Sequence, residues 1–235
     1  MNTISCQVIA ISALTPVVSK VLLQPAQPTS YTPGQYLQLC LSDSDKRPFS
    51  IASTPAQQQL ELHIGGSVAD QYASQALAHL MQQHQLQQPV QAEIGLGNAQ
   101  FRADSERPVI LLAGGTGFSY VYSIAQSIAA AKLDRPVFVY WGVREQSALY
   151  HASVMQQWAA QHSKYRFIPV VQQPDANWQG RTGMVHQAVL EDFVSLEAYD
   201  IYVAGPFAMA GVVRDAFIEQ GAHREHMFAD AFAYI

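Results

Sequence analysis

Residues 109–123 read Val-Ile-Leu-Leu-Ala-Gly-Gly-Thr-Gly-Phe-Ser-Tyr-Val-Tyr-Ser, and they restrict the fold more than any other stretch. An apolar run of strand character meets three glycines within four residues, and a helix-like stretch follows at once. Glycine permits the tight backbone path such a junction needs. The junction leaves bare N–H groups at a helix start, where a phosphate or an electron-rich ring can approach the chain. The run is neither the G-x-G-x-x-G fingerprint nor a Walker A loop, since no Lys follows.

Beyond residue 104 the rhythm is strand then helix. Strands are expected at Val109–Ala113, Val137–Trp141, Arg166–Val171, Ile201–Ala204 and Met227–Ala229. Helices are expected near Tyr120–Ala131, Ala152–His162, Met184–Asp192 and Phe207–Gln220. Such alternation implies a Rossmann-like parallel sheet with helices on both sides. Before residue 104 short β-like runs dominate: Ile4–Ile11, Val17–Leu23, Gln35–Leu41, Phe49–Ser53, Leu60–Ile64 and Val90–Ile94. Turn signals such as Pro33-Gly34 and Gly65-Gly66 separate several of them, and one helix-like stretch, Asp70–His84, interrupts the series. Many short strands so spaced predict an antiparallel Greek-key barrel. We therefore expect two domains, residues 1–103 and 104–235.

Composition removes several classes of function. Hydrophobic residues make up 49% of the 235, enough for real cores, while charged residues are only 13%. The formal net charge of −5 and the lack of a basic cluster argue against a nucleic-acid surface. No apolar run approaches the ~20 residues that span a bilayer, and the N-terminus shows no secretory signal. Cys6 and Cys40 are too few for an iron–sulfur cluster and read as buried thiols of a reducing compartment, so the cytoplasm is the expected location. The eight histidines show no metal-ligand spacing. His223 and His226 lie three apart with no third ligand visible, so no metal is expected.

Two further segments carry chemistry. Arg47-Pro48-Phe49-Ser50 follows the acidic turn Asp43–Asp45 and offers a cation, a rigid backbone, an aromatic surface and a hydroxyl. Ala204-Gly205-Pro206-Phe207 ends a strand of the second half, with Pro206 suited to a helix's first turn. It would face the carboxyl edge of the sheet, where ligands of such folds bind.

Arg-Pro-Phe-Ser in a β-rich half, then Gly-Gly-Thr-Gly, then Ala-Gly-Pro-Phe resembles the ferredoxin–NADP reductase superfamily. Within it the chain is most similar to the bacterial NAD(P)H–flavin reductases, down to the ending Phe228-Ala229-Asp230-Ala231-Phe232-Ala233-Tyr234-Ile235. The resemblance implies a barrel that holds a flavin ring against Arg47, Pro48, Phe49 and Ser50, with His63, Ile64 and Gly65 on the next contacting strand. The Ser50 hydroxyl would lie near flavin N5. Gly114, Gly115, Thr116, Gly117 and Phe118 would approach NADH or NADPH, as would Gly205, Pro206 and Phe207 from the other side. Ser50 and Thr116 are the catalytic candidates. Arg144, after a strand of the second half, would lie near the adenosine ribose, where it accepts a 2′-phosphate or is a surface charge. Arg181 is equally open, as is Asp230, a counterpart of an acidic residue in some relatives or simply a polar residue ending the last strand.

The implied reaction is NAD(P)H-dependent reduction of riboflavin, FMN or FAD by hydride transfer from nicotinamide C4 to flavin N5. The reduced flavin would feed ferric iron, a flavin-dependent monooxygenase or a light-emitting enzyme. The expected partners are these small molecules and at most a transient flavin-accepting protein, without nucleic acid or membrane.

Departures from the wider superfamily sharpen this. Ala204 replaces a cysteine of many relatives. Residues 66–72, Gly-Ser-Val-Ala-Asp-Gln-Tyr, do not match the Gly-x-x-Ser/Thr turn that clamps a flavin pyrophosphate and put an acid there. Each charge-assisted hydrogen bond is worth about 1.5–3 kcal/mol, so losing two or three weakens binding by roughly two to six decades. Flavin is then expected to come and go as a substrate. Two other readings stay open: an electron-transfer reductase with tightly held FAD, and a nucleotide-sensing subunit without turnover.

Overall fold

The computed structural model describes residues 2–66 and 70–235. The chain divides into two compact units, Met1–Phe101 and Arg102–Ile235.

The first unit is a curled antiparallel sheet. Its strands are β1 (Asn2–Thr15), β2 (Val18–Pro25), β3 (Tyr36–Cys40), β4 (Lys46–Ser50), β5 (Leu60–Gly65) and β6 (Val90–Leu96). Their order is β4-β3-β6-β1-β2-β5. Alternation explains which side is filled: Leu60, Leu62 and Ile64 of β5, Leu37 and Leu39 of β3, and Val90, Ala92 and Ile94 of β6 all enter one core. β1 runs well beyond Ile4–Ile11 because irregularities between Val8 and Ala10 and between Ala13 and Thr15 let it bend with the sheet. Just past β4, Ala52 N–H donates to the Glu61 carbonyl at 2.8 Å and draws the two edge strands together. Helix α1 (Gln71–Leu86) is capped by the Asp70 carboxylate, which accepts from Ala73 N–H. It buries Ala73, Ala76 and Leu80.

The expected strand Phe49–Ser53 is displaced: pairing covers Lys46–Ser50, so all of Arg47–Ser50 lies on β4. Pro48 is tolerated there because β4 is an edge strand. Ile51–Thr54 are buried but leave the ladder, held by Ile51 N–H to Gln35 O and by the Tyr31 hydroxyl to Ser53 O.

The second unit is a parallel sheet of order β10-β9-β8-β7-β11-β12. The strands are β7 (Val109–Gly114), β8 (Val137–Val143), β9 (Tyr165–Val171), β10 (Arg181–Thr182), β11 (Asp200–Ala204) and β12 (Met227–Phe228). The helices are α2 (Phe118–Ala130), α3 (Ala152–Ala160), α4 (Val185–Asp192) and α5 (Phe207–Glu219). The two-residue β10 carries too little pattern to be foreseen. Val109–Ala113 are all fully buried, as a central strand covered on both faces requires. Ile110, Leu112, Ile201 and Val203 pack with α4 and α5. On α3, the Trp158 indole donates to Ala125 O of α2. Since every strand runs the same way, the ends of β7, β8 and β11 share one edge.

Of the two cysteines, Cys6 is fully buried and burial pushes its thiol up to about 12; Cys40 is only half-buried. No helix among the described residues is long and apolar enough to cross a membrane.

Candidate functional site

In the first unit β4 presents an exposed Pro48 followed by half-buried Phe49 and Ser50. The Ser50 hydroxyl makes no hydrogen bond among the described residues, so it is available to a ligand. Arg47 is differently placed. Its guanidinium binds both oxygens of Asp45, Nε at 2.8 Å and Nη2 at 2.7 Å, and also reaches Tyr72 O and Gln75 Oε1 on α1. It stacks 4.9 Å from the Tyr72 ring centroid, and Phe49 packs on the same ring. The Arg47 hydrogen bond holds the Asp45 carboxyl below the usual carboxylate range. Sequence reasoning missed Asp45 as the partner. Its position two residues before Arg47 was the signal, because residues two apart in extended chain share a face.

On β5 the expected contact residues split. The Ile64 side chain is fully buried in the core, so only its backbone can reach a ligand. His63 is buried against Glu61 Oε1 at 2.8 Å. Gly65 has φ +138°, and a Cβ there would sit 2.0 Å from Val17 O, so close chain packing demands this glycine. Ser67, Val68 and Ala69 of the departing turn lie outside the described residues. Asp70, the acid of that turn, is the cap of α1.

In the second unit the glycine turns after β7 and β11 are packed together. A Cβ at Gly117 would lie 2.4 Å from Ala204 O, and one at Gly205 would lie 3.3 Å from Gly114 Cα. A Cβ at Gly114 would strike Met209 Sδ at 2.5 Å. Gly115 differs: it is exposed, has φ +56°, and a Cβ on it would meet nothing. Its carbonyl accepts from the Trp141 indole at 3.0 Å, which fixes the turn. Thr116 is half-buried, and its hydroxyl has no partner among the described residues. Neither α2 nor α5 has a side-chain cap or an acid in its first turn. Their leading amides are left for a ligand, and an anion suits them. Pro206 stands as the residue capping α5, one position before the helix proper.

Phe118 corrects an expectation. Its ring is fully buried, stacked 3.7 Å from Trp141, and so contributes only backbone to any ligand. Phe207 is 56% exposed and stacks at 5.7 Å on Tyr234, a neighbour sequence reasoning did not assign. Arg144 is exposed at the end of β8 and makes no ion pair among the described residues. Arg181, left open by the sequence, is bound to Glu191 at 2.7 Å and to Asp192. Asp230 begins a short 3₁₀ turn near Tyr120, whose hydroxyl burial pushes well up, the Asp230 charge adding to it. His226 lies 3.0 Å from Asp200, and His223 3.7 Å from Glu197.

Comparison with known proteins matches this geometry. The oxidoreductase NAD-binding domain profile covers residues 111–215, which include β7, its glycine turn and the β11 turn. An NAD(P)H-flavin reductase of Vibrio harveyi is 42% identical, over 99% of this chain and 100% of that one. The chain belongs to the NAD(P)H-flavin reductase family. A second such reductase, from Aliivibrio fischeri, is 40% identical over 99% of both chains. This flavin reductase family member is therefore an oxidoreductase. Its fold also appears in the Amycolatopsis cytochrome P450 reductase GcoB (26% identity, TM-score 0.85, 97% of this chain and 69% of that one). The ferredoxin reductase in carbazole 1,9a-dioxygenase shares it at 24% identity and TM-score 0.83, over 98% of this chain and 69% of that one.

Proposed function

We propose that the protein catalyses NAD(P)H-dependent reduction of free flavins, with riboflavin, FMN or FAD as diffusible substrate. The unit of residues 1–101 supplies the flavin surface and the unit of residues 102–235 binds the nicotinamide nucleotide. The observation that carries this reading is the Ser50 hydroxyl, half-buried beside Phe49 and left without a partner. The turn residues fit a dinucleotide: open space at Gly115, uncapped amides at α2 and α5, and no first-turn acid to repel a pyrophosphate.

When bound, the nucleotide supplies a hydride from nicotinamide C4 and the flavin accepts it at N5; the cofactors carry this chemistry. The chain's own residues position and stabilise. Gly115, Thr116 and Gly117 hold phosphate through backbone amides. Trp141 keeps the Gly115 carbonyl turned away from that anion. Phe49 and Pro48 offer the surface for the flat ring, and Ser50 donates or accepts a hydrogen bond where charge changes. Arg144 lies at the edge that would receive the adenosine ribose. Holding two rings in contact supplies about 7–11 kcal/mol of the barrier. The reduced flavin then leaves for an acceptor such as ferric iron or a flavin-dependent monooxygenase.

The test is steady-state oxidation of NADH and of NADPH by dialysed protein, with and without added riboflavin, FMN or FAD. Strict dependence on added flavin is expected. A stoichiometric yellow chromophore that survives dialysis and turns over alone would overturn the reading in favour of a resident flavin.

A further inference from the structure

The first unit is short of cations. Residues 1–101 hold only three Lys or Arg, namely Lys20, Lys46 and Arg47, against five Asp or Glu. Both cations of β4 are neutralised in place. Lys46 Nζ lies 2.6 Å from Glu93 Oε1. Arg47 donates to both oxygens of Asp45, and further N–H groups go to Tyr72 O and Gln75 Oε1, so four of its five donors are engaged. Lys20 is on β2 across from His63, not on β4. The bidentate fork that Asp45 occupies is the geometry by which a guanidinium takes a phosphate. A phosphate arriving at Arg47 must displace Asp45 or face its charge, with Asp43 and Asp70 nearby adding to the repulsion.

We infer that Asp45 is a specificity-determining residue that makes the flavin surface favour riboflavin over flavins bearing a phosphate. The inference rests on the proposed flavin site and refines it. The isoalloxazine ring needs no cation, so Phe49, Pro48 and Ser50 serve every flavin alike. Only the ribityl end, where FMN carries a dianion, distinguishes the substrates. Asp45 stands where that charge would be received.

Riboflavin and FMN are titrated into the purified full chain, with binding followed by flavin fluorescence. The readout is the ratio of the FMN Kd to the riboflavin Kd. In the parent this ratio exceeds one. Asp45→Asn lowers it about ten-fold, the size of one charge-assisted contact regained. Asp45→Glu keeps the carboxylate and a high ratio, as does Asp43→Asn, which leaves Arg47 paired. A parent ratio of one or less, or no change in Asp45→Asn, overturns the inference. So does an equal fall in Asp45→Glu, which would mean shape rather than charge. Should Asp45→Asn not fold, salt decides on the parent alone. Under repulsion, added NaCl narrows the gap between FMN and riboflavin; under attraction to an available Arg47 it weakens FMN selectively and the inference fails. Binding ratios do not depend on turnover. Failure of the reductase reading would show separately, as absent nicotinamide oxidation with every flavin.

Discussion

Single residues separate into those that bind and those that merely fit. Ser50 has an uncommitted hydroxyl, so Ser50→Ala should leave the melting temperature nearly unchanged. It should lower kcat with riboflavin by about ten- to a hundred-fold while the KM for NAD(P)H hardly moves. Steady-state kinetics and a thermal melt check both, and unchanged kcat would remove Ser50 from the chemistry. The glycines give the complementary contrast. Gly117→Ala drives a Cβ to 2.4 Å from Ala204 O and should destabilise by about 2–3 kcal/mol, seen as a melting temperature roughly 5–10 °C lower. Gly115→Ala meets open space and costs about 1 kcal/mol through its positive φ, yet crowds the surface offered to the nucleotide. Its larger effect should be a raised KM for NAD(P)H. The Gly-Gly-Thr-Gly pattern announced a special turn, but it could not show which glycine serves packing and which faces outward, because that depends on β11 lying beside β7. Phe118 was misread as a contact for the same reason: only Trp141, 23 residues on, reveals the buried stack.

Elements place these residues, and most were legible. Unbroken apolar runs marked β7 and β11, and alternation marked β2, β3 and β6. β4 was shifted because its pairing with β3 begins at Lys46, in a charged stretch that no apolar pattern signals. The turn after β7 is braced by the Trp141 indole on β8. Trp141→Phe preserves the stack but removes that hydrogen bond. It should lower stability by about 1 kcal/mol and raise the KM for NAD(P)H more than that for flavin. Two helices carry histidines that burial holds below their ordinary value, His79 on α1 and His186 on α4. A depressed folded pKa means the unfolded chain takes up more protons. Their contribution is complete above the unfolded value of about 6.5 and is lost as pH falls through that value toward the folded one. Melting temperatures measured from pH 7.5 down to 5 should therefore decline, and a double His79→Gln, His186→Gln variant should decline less.

At the scale of the whole molecule, the order of three motifs along one chain carried the family resemblance, and 42% identity to a Vibrio harveyi reductase over the full length agrees with it. What the sequence hid was commitment. Arg47 read as a free cation and is instead held by Asp45, while Arg144 and Arg181 read alike and only Arg181 is paired. Such pairings arise between residues whose approach the fold alone decides. The central claim is that nicotinamide oxidation and flavin reduction are one event on this chain. Anaerobic mixing of dialysed protein with NADH and riboflavin, followed by absorbance, tests it directly. The prediction is loss of one flavin chromophore for each nicotinamide oxidised, at a rate slowed in Ser50→Ala. Nicotinamide oxidised equally fast in both proteins, with the flavin still yellow, would contradict it.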